Sequence, residues 1–116
     1  MAVAVVDPSL EGAQSVDSEI SDKGGKALAV MADVCDAQAL DTAVEMASDE
    51  WSGLHLAVNN AGVPAPYSPL DDVSIEDWNR VICINLTSTF LCLRSELPVI
   101  RASGGGAIVN LSYILG

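Results

Sequence analysis

No stretch constrains this chain more than Leu54 to Gly62 (LHLAVNNAG), where an apolar run stops abruptly at two amides and a glycine. Such a run reads as a buried parallel strand reaching its carboxyl end, where open α/β sheets keep their ligand crevice. Three more apolar runs, Ala2 to Val6, Ala27 to Val34 and Ala107 to Leu111, are separated by helix-length amphipathic segments. The alternation predicts repeated βαβ units, and so a parallel sheet flanked by helices.

The punctuation agrees. Ser9 is a fair N-cap for a helix carrying Leu10, Ala13, Val16 and Ile20 until Gly24-Gly25 stops it. Asp36 can cap a second helix with Leu40, Ala43, Val44, Ala47 and Trp51 on its inner face. Three prolines (Pro64, Pro66, Pro69) make Val63 to Val73 a loop above the crevice. Ser74, with Asp77 three residues on, opens a long helix that Pro98 should kink or end. Ser103 to Gly106 is a turn before the last strand.

A chain of 116 residues is one domain at most. Its apolar fraction of 50% with only 4% aromatics means that small aliphatics dominate, as strands covered on both faces require. The net charge of −11 repels nucleic acid and anionic membrane surfaces, so neither is expected as a partner. Cys35, Cys83 and Cys92 have no metal-ligand spacing and His55 is the only histidine, so no metal site is expected. The cysteines read as small buried hydrophobes in a reducing compartment. With no run long enough for a membrane span and no basic, cleavable leader, a cytoplasmic protein is expected.

Several residues carry two readings each. Asp7 sits where a carboxylate at a strand end accepts both hydroxyls of an adenosine ribose and repels a 2′-phosphate, or it is a turn aspartate beside Pro8. Asp33 either accepts from an adenine amino group or caps the turn before Asp36. In Asn59-Asn60-Ala61-Gly62, adjacent amides can bond neighbouring strands while Ala61 and Gly62 let a flat ligand approach the main chain; a plain turn is the alternative. Asn85, inside an apolar helix, is either functional or a satisfied packing amide.

Asp7, the Asp33-Val34 pair, LAVNNAG, the helix from Trp78 through Asn85 to Leu86, and GGGAIVNLS from Gly104 to Ser112 occur in one order and spacing. Together they resemble the short-chain dehydrogenase/reductase family across essentially the whole chain. The resemblance implies a Rossmann-like parallel sheet in which Asp7 selects NAD over NADP. Asp33 and Val34 would flank the adenine, Asn60, Ala61 and Gly62 would line the adenosine side, and Asn85 would be the catalytic asparagine that helps hold a relay water. Ser112 is the serine candidate for the substrate oxygen, although by register Tyr113 takes the usual serine position. The substrate implied is a secondary alcohol or ketone.

Two family features are missing from this sequence: the glycine-rich phosphate loop before Asp7, and Tyr-x-x-x-Lys after the last strand. The expectation is therefore an internal fragment, from the family's second strand to just past its fifth, inactive by itself. The family's first strand is central in the sheet. Without it the flanking strands should not touch, leaving a gap of about 9 to 10 Å, two strand spacings; such a chain should be marginally stable. A non-catalytic adenosine-binding or assembly module is the alternative function, with homo-oligomers formed through the Ser74 to Pro98 helix, which family members use in dimer packing. A phosphoacceptor receiver is disfavoured, since Asp7 stands alone and Lys26 is the last lysine.

Overall fold

A computed structural model describes residues 1–112. Strand β1 (Ala2–Asp7), helix α1 (Leu10–Asp22), strand β2 (Lys26–Met31) and helix α2 (Ala37–Trp51) form the first half. The second half is strand β3 (Leu56–Asn59), a 3-10 turn at Leu70–Asp72, helix α3 (Ile75–Ile82), a π-helical turn over Cys83–Thr87, helix α4 (Ser88–Ala102) and strand β4 (Ala107–Asn110). The capping residues perform as their side-chain chemistry dictates. Ser9 accepts from the Gly12 amide, Asp36 from those of Gln38 and Ala39, and Ser74 from that of Asp77, each satisfying an otherwise orphaned helix N–H.

The strands form two parallel ladders, β1 beside β2 and β3 beside β4. β1 does not pair with β3, as expected if a central strand belongs between them, and the contact between α2 and α4 links the halves. The core is small: Val30, Ala32 and Ala43, with Leu28 and Ala39 packed around them. Leu40, Ala43 and Ala47 of the expected α2 face are buried, whereas Leu10 and Val16 of α1 remain exposed.

Strand alternation accounts for the second ladder. Ala57, Asn59, Ile108 and Asn110 share the face that meets α4, because Ala57 pairs with Ile108 and Asn59 with Asn110. On the opposite face Leu56, Val58 and Val109 are more than half exposed, so the expectation of helices on both faces fails for this ladder.

Two expectations need correction. Pro98 does not end the long helix, which runs on to Ala102. Proline withholds one helical hydrogen bond, here to the carbonyl of Arg94, and Pro98 and Arg94 both lie on the exposed side, where water can take its place. The cysteines are not three separate thiols either. Cys35 and Cys83 are joined in a disulfide with Cα atoms 6.0 Å apart, leaving Cys92 free. A separation of 48 residues hides the contact from sequence spacing, since only the docking of α2 on α4 brings the α2 entry beside the π-turn. The cysteines then give no ground for assigning a reducing compartment. No helix among the described residues is long and apolar enough to cross a membrane.

Candidate functional site

Each residue singled out from the sequence lies at or just beyond the carboxyl end of a strand, or on the helix facing one. Asp7 ends β1, and its carbonyl accepts from the Ala32 amide at 3.1 Å, which draws the exit of β2 alongside. Its carboxylate Oδ1 accepts from the Ser9 amide at 2.8 Å, so Asp7 is a turn aspartate as well as a strand-end carboxylate. Asp33 does the same one strand over, Oδ1 accepting from the Cys35 amide at 2.9 Å. Both roles open at these two positions are compatible, because each Oδ2 has no hydrogen bond among the described residues. Val34, half-buried, follows Asp33 in the same turn.

Asn60, Ala61 and Gly62 are exposed beyond β3. A Cβ added at Gly62 would lie 3.7 Å from Asn85 Oδ1 and 4.0 Å from the Asn60 carbonyl oxygen, ordinary contacts that the protein itself accommodates. Asn85 is tied into this exit loop. Its Oδ1 accepts from the Val63 amide and its Nδ2 donates to the Val63 carbonyl, both at 2.8 Å. Val63 uses one proton and one lone pair of this amide, which is the packing role, and leaves the other Nδ2 proton and the other Oδ1 lone pair unused among the described residues. Asn85 sits in the π-turn, where the helical hydrogen bonds shift register, a feature concentrated at functional sites.

Ser112 is exposed just past β4, and no hydrogen bond among the described residues joins it to Asn85. Tyr113 lies outside the described residues. The structure thus gathers Gly62, Val63 and Asn85 into one contact, and Asp7 with Asp33 at a second strand end.

Sequence reasoning missed Glu96. This α4 carboxylate is only 7% exposed and accepts from Asn59 Nδ2 at 3.1 Å, while the same nitrogen donates to Asn110 Oδ1 at 2.9 Å. Burial pushes its pKa above the usual carboxylate range and the Asn59 hydrogen bond partly opposes this. One turn earlier, burial and the Glu96 charge push the Cys92 thiol up to about 11, so it stays protonated and unreactive. The available signal was a lone Glu among the apolar residues of the helix sequence FLCLRSELPVI.

Two open clefts, of about 340 and 350 Å³, lie elsewhere, one against β2 and α2 (Met31, Gln38, Met46) and the other near Met1, Gly24 and Trp51. Neither includes Asp7, Asn60 to Gly62, or Asn85. No cluster of three or more metal-ligating side chains occurs among the described residues.

The cyclohexanol dehydrogenase of Acinetobacter sp. (strain SE19) is 44% identical over 116 residues, covering the whole of this chain but 46% of that protein. The chain therefore spans a little under half the length of this relative. A 3-ketoacyl-ACP reductase from Sinorhizobium meliloti 1021 superposes with a TM-score of 0.93 at 34% identity, over 97% of this chain and 44% of the other. Two further solved structures at a TM-score of 0.89 and 27% identity carry different nicotinamides. A metagenomic short-chain oxidoreductase, matched over 97% of this chain and 51% of its own, is in complex with NADP. A xylitol dehydrogenase, matched over 94% and 42%, is NAD+-bound. The model of the short chain dehydrogenases matches residues 1–116, and with strand-end residues, parallel ladders and relatives in agreement, this chain belongs to the short-chain dehydrogenase/reductase family of oxidoreductases.

Proposed function

We propose that this chain is the adenosine-side half of an NAD-dependent dehydrogenase acting on a secondary alcohol or ketone. The observation that carries the reading is Asp7, a half-buried strand-end carboxylate with one oxygen anchored by Ser9 and the other without a hydrogen bond among the described residues. A carboxylate so placed can accept from a ribose 2′-hydroxyl and repels a 2′-phosphate, which favours NAD over NADP. Asp33 and Val34 would flank the adenine, and the space above Gly62 admits a ligand against the main chain of Asn60 to Gly62.

Bound there, the nicotinamide supplies hydride transfer. Ser112 would hold the substrate oxygen. Asn85, with one Nδ2 proton and one Oδ1 lone pair left over after its bonds to Val63, would help hold a relay water. The sequence supplies no tyrosine–lysine pair to move the proton and no glycine-rich loop for the pyrophosphate, so as it stands the chain binds more than it turns over. The resemblance of the whole chain to less than half the length of its relatives supports a piece of a longer enzyme, with a cytoplasmic location as part of the same reading.

Calorimetric titration with NAD and with NADP, alongside absorbance at 340 nm with cyclohexanol, tests this. NAD binding that weakens on Asp7→Ala, with NADP binding weaker than NAD, is expected. Equal affinity for both nucleotides, or none for either, refutes it. A second reading, an assembly module, is favoured by one observation: Ile75, Trp78, Leu86 and Phe90 along the Ser74 to Pro98 helix are all more than half exposed. Sedimentation of Trp78→Glu and Phe90→Glu variants measures that, a monomer in place of a homo-oligomer being the expected outcome.

A further inference from the structure

We propose that Glu96 is a positioning residue. It fixes the Asn59 carboxamide so that the ends of β3 and β4 are held at a set separation, and with them Asn60 to Gly62 on one side and Ser112 on the other.

The Asn59 NH2 group has two protons and donates to two acceptors. Nδ2 lies 3.1 Å from Glu96 Oε2 and 2.9 Å from Asn110 Oδ1. Asn59 and Asn110 are register partners, and the Leu111 amide donates to the Asn59 carbonyl at 3.0 Å, so main chain and side chain both span the gap where the ladder ends. Turned the other way, the Asn59 amide would set its own oxygen against two acceptors. Glu96 therefore decides which end of the amide faces Asn110.

A buried carboxylate is a poor way to gain stability, because an apolar side chain of the same volume would avoid its desolvation cost. At 7% exposure Glu96 carries that cost, and the acceptor it offers Asn59 is what an apolar residue could not supply. It acts through Asn59, its hydrogen-bond partner, and makes no hydrogen bond among the described residues to those assigned to cofactor or substrate. The functional half of the proposal rests on the dehydrogenase reading; the structural half, that Glu96 orients Asn59, does not.

The test compares Glu96→Gln, which keeps an acceptor oxygen and drops the charge, with Glu96→Met, which keeps the volume and drops the acceptor. In the 15N-labelled chain both Asn59 side-chain proton resonances are expected at hydrogen-bonded positions in wild type and Glu96→Gln, and one of them should move upfield in Glu96→Met. In calorimetric titration with NAD, Glu96→Gln should bind within about twofold of wild type and Glu96→Met about tenfold more weakly, the factor for about 1.4 kcal/mol. Glu96→Met behaving as wild type, or Glu96→Gln as poorly as Glu96→Met, overturns the proposal. Should Glu96→Met not fold, Asn110→Ala makes the test from the other end: one Asn59 proton resonance should move and the other stay, and any other pattern overturns the arrangement. Failure of the wild-type chain to bind NAD sinks the dehydrogenase reading, and the Asn59 resonances still decide the role of Glu96.

Discussion

Replacing Asn85 by alanine separates holding from chemistry at this site. The substitution removes both 2.8 Å bonds to Val63 at once. A net hydrogen bond contributes about 0.5 to 1.5 kcal/mol. Because Asn85 is exposed and water can reach the freed Val63 groups, the lower part of that range applies, giving about 1 to 1.5 kcal/mol for the pair. If opening at Val63 controls its amide exchange, Asn85→Ala should speed that exchange about 5- to 10-fold, and urea unfolding should shift by a similar free energy. Asn85→Asp keeps an acceptor for the Val63 amide but sets a second oxygen against the Val63 carbonyl. Its Val63 amide should stay protected while the loop carbonyl is repelled. Unchanged Val63 exchange in Asn85→Ala refutes the clamp. A loss of NAD affinity with no change at Val63 would mean that the side chain acts at the binding site directly rather than through the loop.

Gly62→Ala should leave urea stability within about 1 kcal/mol, since its Cβ meets only ordinary contacts, yet weaken NAD binding several-fold by filling the space above the strand end; equal titrations for the two forms would contradict this. Gly106→Ala is the opposite case, because its Cβ would overlap the His55 carbonyl that accepts from Ala107; a cost of about 3 kcal/mol or more, or loss of the cooperative transition, is expected on thermal denaturation. Cutting the Cys35–Cys83 link with reductant, or by Cys35→Ser, opens a loop of 48 residues and by loop-closure entropy costs about 4 kcal/mol, checked by urea midpoints with and without reductant. Glu96, with its pKa raised by burial, binds a proton more tightly folded than unfolded. Wild type should therefore lose stability relative to Glu96→Gln as pH rises from the unfolded carboxylate value, about 4.3, through the folded one, and a pH-independent difference between the two would show that burial is not felt.

What could be read from the sequence is what local chemistry decides. A serine or aspartate before an amphipathic run caps a helix wherever the chain is placed, so Ser9, Asp36 and Ser74 were legible. Strand ends are legible for a related reason, because an apolar run such as LAV favours extended chain and the amides after it end it, even though Leu56 and Val58 are more than half exposed here. Boundaries drifted: β2 ends at Met31 rather than Val34, since the chain turns at Asp33, whose carboxylate takes up the Cys35 amide.

What stayed hidden depends on packing between distant segments. The disulfide needs α2 docked on α4, and the role of Glu96 needs α4 lying across β3 and β4. Neither leaves a spacing that local periodicity can detect. The π-turn is hidden differently: Ile82, Ile84 and Leu86 read as ordinary helix, and only the pull of Val63 on Asn85 gives a wider turn something to satisfy.

The site's openness follows from the same division. Strand-end residues are positioned by their own ladders, so Asp7, Asn60 to Gly62 and Ser112 reach their places with β1 and β3 unpaired. A crevice, in contrast, needs two walls, and here each ladder supplies one. The wall on the β3 and β4 side is braced by the Glu96–Asn59–Asn110 chain and by Asn85 on Val63, the wall on the β1 and β2 side by the Asp7 and Asp33 turns. Across them run the α2–α4 contact and the Cys35–Cys83 link. An element inserted between β1 and β3 would then meet the proposed binding residues already oriented, and would have to supply the phosphate contacts.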